Sequence, residues 1–188
     1  MKVPICRSEE VSFSDAVRRA VDKDYAETDF REDLSGRDMA RKVVILARQI
    51  GLDVSLEDVV VESLIPEDIN TKAYKRESLE ADLLEDIKVV NDYMFERVKA
   101  AEADGRHLRY KFTINVDTGK CKVALESVQN TDPLYRLKAN ENLVAFETDR
   151  YTVSPLIVKG AAAGPDLAAA GIFADLLRLT RAFTALQI

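Results

Sequence analysis

Cysteine is scarce in this chain: its two thiols, Cys6 and Cys121, match no close metal-ligand or redox spacing. A disulfide framework is thereby excluded, and reduced, intracellular thiols are expected. Histidine is scarcer still. His107 is the single one, beside Arg106 and Arg109, and no Gly-x-Ser-x-Gly elbow supplies a nucleophile for it. A structural or solvent-facing role is the expectation. Positive charge is in the minority, 27 Lys and Arg against 33 Asp and Glu, for a net charge of −6. With no clustered basic face, nucleic acid is not an expected partner. Long apolar runs are missing too, because the stretch Ala161–Leu177 is interrupted by Pro165, Asp166 and Asp175. It is too broken to span a bilayer, so no membrane partner is expected. The first ten residues lack the apolar core of a signal peptide, and their Glu9-Glu10 pair is wrong for a transit peptide. A soluble intracellular protein is expected, with cytoplasm and plastid left open. Finally, a Gly-x-Gly-x-x-Gly fingerprint is absent, so these residues build no nucleotide-binding βαβ unit.

What is present is a chain of one-domain length, with 47% hydrophobic residues for a core and 32% charged residues for a solvated surface. Ser12 or Ser14 caps a helix over 13–24, with Phe13, Ala16, Val17 and Ala20 on one side. Residues 27–35 are polar and read as a loop. A second helix covers 36–50, with Met39, Val43, Leu46 and Ile50 as its apolar stripe and Gly51 as its stop. Residues 57–64 read as a short strand, and 78–103 as one long helix through Leu79, Leu83, Ile87, Val90, Met94 and Val98, ended by Gly105. The texture then turns to strands: 107–116 and 121–128 around the turn Asp117–Lys120, then 142–148 and 154–159. The segments from Asp132 and from Asn140 look turn-like. Gly160–Gly164 reads as a small-residue loop before a closing helix that opens at Pro165 and aligns Ile172, Leu176, Leu179, Phe183 and Leu186. The fold class that follows is α+β, a mostly antiparallel or mixed sheet with helices on one face.

The chemistry concentrates between Tyr25 and Lys42. An acidic loop with Glu27, Asp29, Glu32 and Asp33 feeds a helix bearing Asp38 and, one turn on, Lys42. Residues four apart share a helix face, so an acid and a base project together. Alone, the pair reads as an ordinary surface ion pair, and the four carboxylates suggest a divalent-metal loop. The calcium-loop pattern fails, since Ala40 stands where its closing Glu is needed, and no metal is expected. The loop Gly160–Gly164 before a helix N-terminus could present N–H groups to an anion, a weak signal by itself.

The segment Tyr-Ala-Glu-Thr-Asp-Phe-Arg-Glu-Asp-Leu-Ser-Gly-Arg-Asp-Met-Ala-Arg-Lys, residues 25–42, closely resembles the active-site segment of homoserine dehydrogenases. The resemblance runs from about Phe13 to Ala182 and is strongest to the form fused to aspartate kinase. It continues, in the family's order, through Ala40–Arg48, Leu108–Tyr110, Asp132–Leu134, Asn142–Phe146, Pro155–Val158 and Ala169–Arg178. It implies NAD(P)H-dependent reduction of aspartate semialdehyde to L-homoserine, on the route to threonine, methionine and isoleucine. It implies Lys42 as proton donor, Glu27 and Asp38 as substrate-binding carboxylates, and Asp33 as a group orienting the loop or Lys42. Gly164 falls on the glycine that approaches the nicotinamide, NADP or NAD without distinction. The family's dimers imply a homodimer.

The implied plan is an N-terminal remnant over 1–10, a catalytic domain over 11–160, and a return over 161–188 whose helix would pack on a nucleotide-binding domain. That Rossmann domain is not among these residues, so a fragment of the complete enzyme is expected. Thr28 and Phe30 replace two prolines of the family's loop, which predicts a less preorganised loop. Ala162 replaces a glycine, and Leu167-Ala168 a Val-Thr pair. A stand-alone, non-catalytic domain that dimerises or binds an amino acid is the alternative.

Overall fold

Alternation along two neighbouring strands sets the frame of the first part of the chain. In the computed structural model, which describes residues 11–185 apart from 24, 27, 28, 139, 140, 162 and 163, β2 (His107–Asn115) and β3 (Lys120–Val128) form an antiparallel ribbon in which Tyr110 faces Leu125 and Ile114 faces Cys121. Gly119 closes the turn with φ +65°, where a side chain would strain the backbone. β1 (Val59–Val61) adds in parallel beside β3, giving the order β1-β3-β2. Successive side chains alternate between faces, so Leu108, Tyr110, Phe112 and Ile114 share one face with Cys121, Val123 and Leu125. Helices cover that face.

Two apolar clusters result. In one, Leu108 and Leu125 meet α1 (Phe13–Val21), α5 (Leu79–Asp86) and α6 (Asn91–Ala103) through Phe13, Val17, Leu83 and Met94. In the other, Val59, Cys121 and Val123 pack under α3 (Arg37–Gln49) through Ala40, Val43, Val44 and Ala47. The Cys121 thiol is 2% exposed, and burial pushes its pKa up.

Local chemistry explains the helix limits. Ser12 caps α1, its hydroxyl accepting from the Asp15 N–H at 3.2 Å. Gly51 follows α3 with φ +89°. The predicted long helix 78–103 is instead α5, a 3₁₀ turn over Ile87–Val90, and α6. Residues three apart eclipse in a 3₁₀ turn, so this tightening turns both Ile87 and Val90 into the core. The predicted stripe of α3 is rotated by about one position. Ala40, Val43, Val44 and Ala47 are buried whereas Ile50 is 52% exposed, because the alanines let the helix lie close to the sheet. The polar connection after Pro66 contains a short helix, α4 (Glu67–Thr71).

The chain divides into two compact units, one ending at Arg136 and the other covering 137–188. The second contains β4 (Glu141–Thr148) and β5 (Tyr151–Ala161), paired antiparallel with a bulge between Phe146 and Thr148, and the helix α7 (Pro165–Ala185). Glu141, expected in a turn, begins β4 one residue ahead of the predicted strand, and Gly160 and Ala161 extend β5. The strands therefore make two sheets, not one. Val153, Val158, Ile172, Phe173, Leu176, Leu179 and Phe183 are exposed. Leu186, the last residue of the predicted α7 stripe, lies outside the described residues. Among the described residues, no helix is long and apolar enough to cross a membrane.

Candidate active site

The segment read from sequence as a polar loop folds into α2 (Arg31–Leu34), which turns through Gly36 directly into α3. Phe30 and Leu34 are fully buried and fasten this corner to the larger core. The Leu64 N–H donates to the Leu34 carbonyl at 2.9 Å, tying the corner to the segment after β1. Gly36 holds φ +79°, and its carbonyl accepts the Ala40 N–H at 2.9 Å to close the first turn of α3.

Arg31 fixes what precedes the corner. Its Nε and Nη2 donate to the two carboxylate oxygens of Asp29, at 2.8 and 2.5 Å, and its Nη1 donates to the Lys72 carbonyl at 2.6 Å. The guanidinium also lies 5.0 Å from the centre of the Tyr74 ring, a cation–π contact. Tyr74 donates to Asp86 at 2.6 Å, as does Lys72 at the same distance. Hydrogen bonding by Arg31 holds the Asp29 carboxyl below its ordinary range. Burial and the bond to Asp86 raise the Tyr74 phenol. At the described one of the two replaced prolines Phe30 is buried, and the guanidinium that follows it is engaged on Asp29 and on the Lys72 carbonyl. Thr28 lies outside the described residues.

On α3 the Lys42 Nζ donates to Asp38 Oδ2 at 2.6 Å. The lysine side chain is 63% exposed and the aspartate 32%, so the pair stands at the surface. Asp33 lies on α2, its carbonyl accepting the Gly36 N–H at 3.2 Å. Glu32 is engaged by Arg41 at 2.7 Å. Among the described residues, no three of His, Cys, Asp and Glu group as a metal ion would require.

Of the residues read from sequence, the structure brings Asp38 and Lys42 together and places Asp33 just ahead of their helix. Glu27 and Ala162 lie outside the described residues. Gly164 belongs to the second unit. It precedes α7 with φ +132°, and nothing lies within 4 Å of where its Cβ would stand. A cleft of about 330 Å³ on the flank of α3, lined by Ser35, Arg37, Val61, Ser63 and Asn70, includes neither Asp38 nor Lys42. His107 stacks on Tyr135 with ring centres 3.7 Å apart.

Sequence reasoning missed Arg31, Tyr74 and Tyr110 as parts of this corner. Asp29-x-Arg31 was legible as a local ion pair, but no periodicity reports that Tyr74 or Tyr110 folds against it.

An acid–base pair thus stands on the first turns of a helix, with an acidic corner held by Arg31 ahead of it. The sequence model of the family described as homoserine dehydrogenase matches residues 5–177, and the chain belongs to that family. It is 41% identical over 169 residues to bifunctional aspartokinase/homoserine dehydrogenase 1, chloroplastic, of Zea mays, an alignment covering 90% of this chain and 18% of that protein. Homoserine dehydrogenase of Emericella nidulans is 35% identical over 177 residues, covering 94% of this chain and 48% of that one. The crystal structure of a Candida auris protein of unknown function superposes with a TM-score of 0.79 at 34% identity, over 93% of this chain and 48% of that one. Homoserine dehydrogenase from Thiobacillus denitrificans shares the fold, with a TM-score of 0.67 at 22% identity, over 94% and 35% of the two chains. These 188 residues thus span less than half the length of each of these relatives.

Proposed function

We propose that this chain is the substrate-binding, catalytic part of an enzyme that interconverts aspartate semialdehyde and L-homoserine with NADPH or NADH. The observation that carries the reading is the Lys42–Asp38 contact of 2.6 Å on the helix that ends the family's active-site segment. In the reducing direction the Lys42 ammonium protonates the carbonyl oxygen as it becomes a hydroxyl. Asp38 holds Lys42 and accepts a hydrogen bond from that hydroxyl, a charge-assisted contact. Glu27 pairs with the substrate ammonium, and Asp33 orients the corner. The bound nicotinamide supplies the hydride.

Of the residues present, Gly164 fits one edge of such a cofactor, since its open Cβ position leaves space for a close approach ahead of a helix N-terminus. No glycine-rich turn among the described residues forms a pyrophosphate cradle, so the rest of the dinucleotide needs a further domain. Two copies are expected to associate through the exposed apolar residues of the second unit.

The test joins this chain in one polypeptide to a dinucleotide-binding half and measures homoserine-dependent reduction of NAD⁺ and NADP⁺. Turnover that disappears in Lys42→Ala supports the reading. A folded polypeptide that binds cofactor and homoserine yet never turns over would leave the non-catalytic amino-acid-binding domain in its place.

A further inference from the structure

Tyr110 stands where the two apolar clusters meet, partly buried and packed against both. Its hydroxyl donates to the Glu62 carbonyl at 2.7 Å. The same oxygen presses on the turn that starts α3: a Cβ added at Gly36 would lie 2.1 Å from it and 2.8 Å from Val61 Cγ1. The Glu62 acceptor is itself immobilised. Its N–H donates to the Val123 carbonyl at 2.9 Å, and its carboxylate accepts the Leu125 N–H at 3.2 Å. The other carboxylate oxygen accepts from Arg97, which also donates to the Leu125 carbonyl at 2.7 Å. Strand β3, helix α6 and the end of β1 thus fix the point on which the tyrosine hydroxyl rests. Burial and the neighbouring Glu62 carboxylate raise the phenol above its ordinary range, so it remains a neutral donor.

We propose that Tyr110 is a positioning residue for the Lys42–Asp38 pair: its hydroxyl, anchored on Glu62, is the seat against which the Gly36 turn sets the first turn of α3. This deepens, and rests on, the function proposed above. Asp38 lies in that first turn and Lys42 one turn later on the same face, so a displaced seat moves both groups together. The contact leaves no slack at Gly36, whose left-handed φ and missing Cβ both belong to it. Alignment of reacting groups is where small displacements are expensive, about 10²-fold for a misplacement of about 1 Å.

The experiment compares wild type with Tyr110→Phe in the complete polypeptide that carries a dinucleotide-binding half, below the melting temperature of both. The phenylalanine keeps the ring and removes only the seat. kcat for homoserine oxidation should fall by about 10- to 10²-fold with KM for the dinucleotide unchanged. Replacing Tyr110 with 4-aminophenylalanine, which restores a donor at the same position, should recover most of the loss. Amide exchange of residues 40–43 in the 188-residue chain should accelerate in Tyr110→Phe. A role confined to packing would lower the melting temperature and leave kcat intact, and that outcome overturns the proposal. Should Tyr110→Phe not fold, Gly36→Ala tests the same contact from the opposite side, and undiminished kcat in it is equally fatal. Absence of turnover in the wild type would refute the assigned reaction instead. The exchange measurement would then still decide the seat, with unchanged protection at 40–43 sinking it.

Discussion

Lys42 extends a charged head from a largely exposed stem, and its contact with Asp38 gives that head a direction. An isolated ion pair of this kind contributes about 0.3–0.5 kcal/mol to a helix, too little to be kept for stability alone. The function proposed above gives it a second use, the transfer of a proton. In the complete polypeptide, Lys42→Ala should therefore lower kcat by ~10²–10⁴-fold, the usual worth of general acid catalysis, while barely moving the melting temperature. Near-normal kcat in that variant would remove Lys42 from the reaction. Glu27 is expected to act through binding. Glu27→Gln should raise KM for homoserine and leave cofactor affinity alone; the reverse pattern in steady-state kinetics would assign it another role.

Between residues and whole chain stands the corner formed by α2 and α3, and its stability should carry a pH signature. Arg31 lowers the pKa of Asp29, chiefly by direct hydrogen bonding. A carboxyl whose pKa falls on folding contributes stability that is present above its ordinary value of 3.8 and is lost as pH drops through the lowered one. The melting temperature of wild type should thus exceed that of Asp29→Asn near neutrality, and the gap should close below pH 3.8. A gap that persists in acid would show that the aspartate acts otherwise.

How far the elements were legible follows from the same corner. Periodicity located the helix bearing Asp38 and Lys42 and the hairpin beneath it, because both patterns are local. It missed α2, a single turn too short for a period, whose Phe30 and Leu34 are ordered by a distant core. It ran α5 and α6 together, because one apolar stripe continues through the 3₁₀ turn that separates them. Asp38 and Lys42 could be paired from spacing alone. The contacts of Tyr110 and Tyr74 could not, since they depend on which strand and which connection fold back over the corner.

At the scale of the whole molecule the two units differ in what they cover. The first holds two buried apolar clusters, whereas α7 exposes Ile172, Phe173, Leu176, Leu179 and Phe183, and the hairpin β4–β5 exposes Phe146, Val153, Ile157 and Val158. Exposed apolar residues in this number favour association. The 188-residue chain should therefore self-associate, and sedimentation showing only monomer at micromolar concentration would contradict this. By itself it should show no homoserine-dependent reduction of NAD⁺ or NADP⁺. Holding both reactants in line is worth ~7–11 kcal/mol of the barrier, and one glycine edge cannot supply it.

Cys121 turns the smaller core into a clock. Its thiol lies beneath α3 among Val43, Val59 and Val123, and burial keeps it protonated, so an alkylating reagent must wait for this core to open. The labelling rate at Cys121, separated from that at Cys6 by peptide mass, then reads the opening of the core under Asp38 and Lys42. Any molecule that binds the closed form should slow the clock in proportion to its occupancy, by a factor of 1 + [L]/Kd. Homoserine affinity could thus be measured from one buried sulfur, with no turnover required.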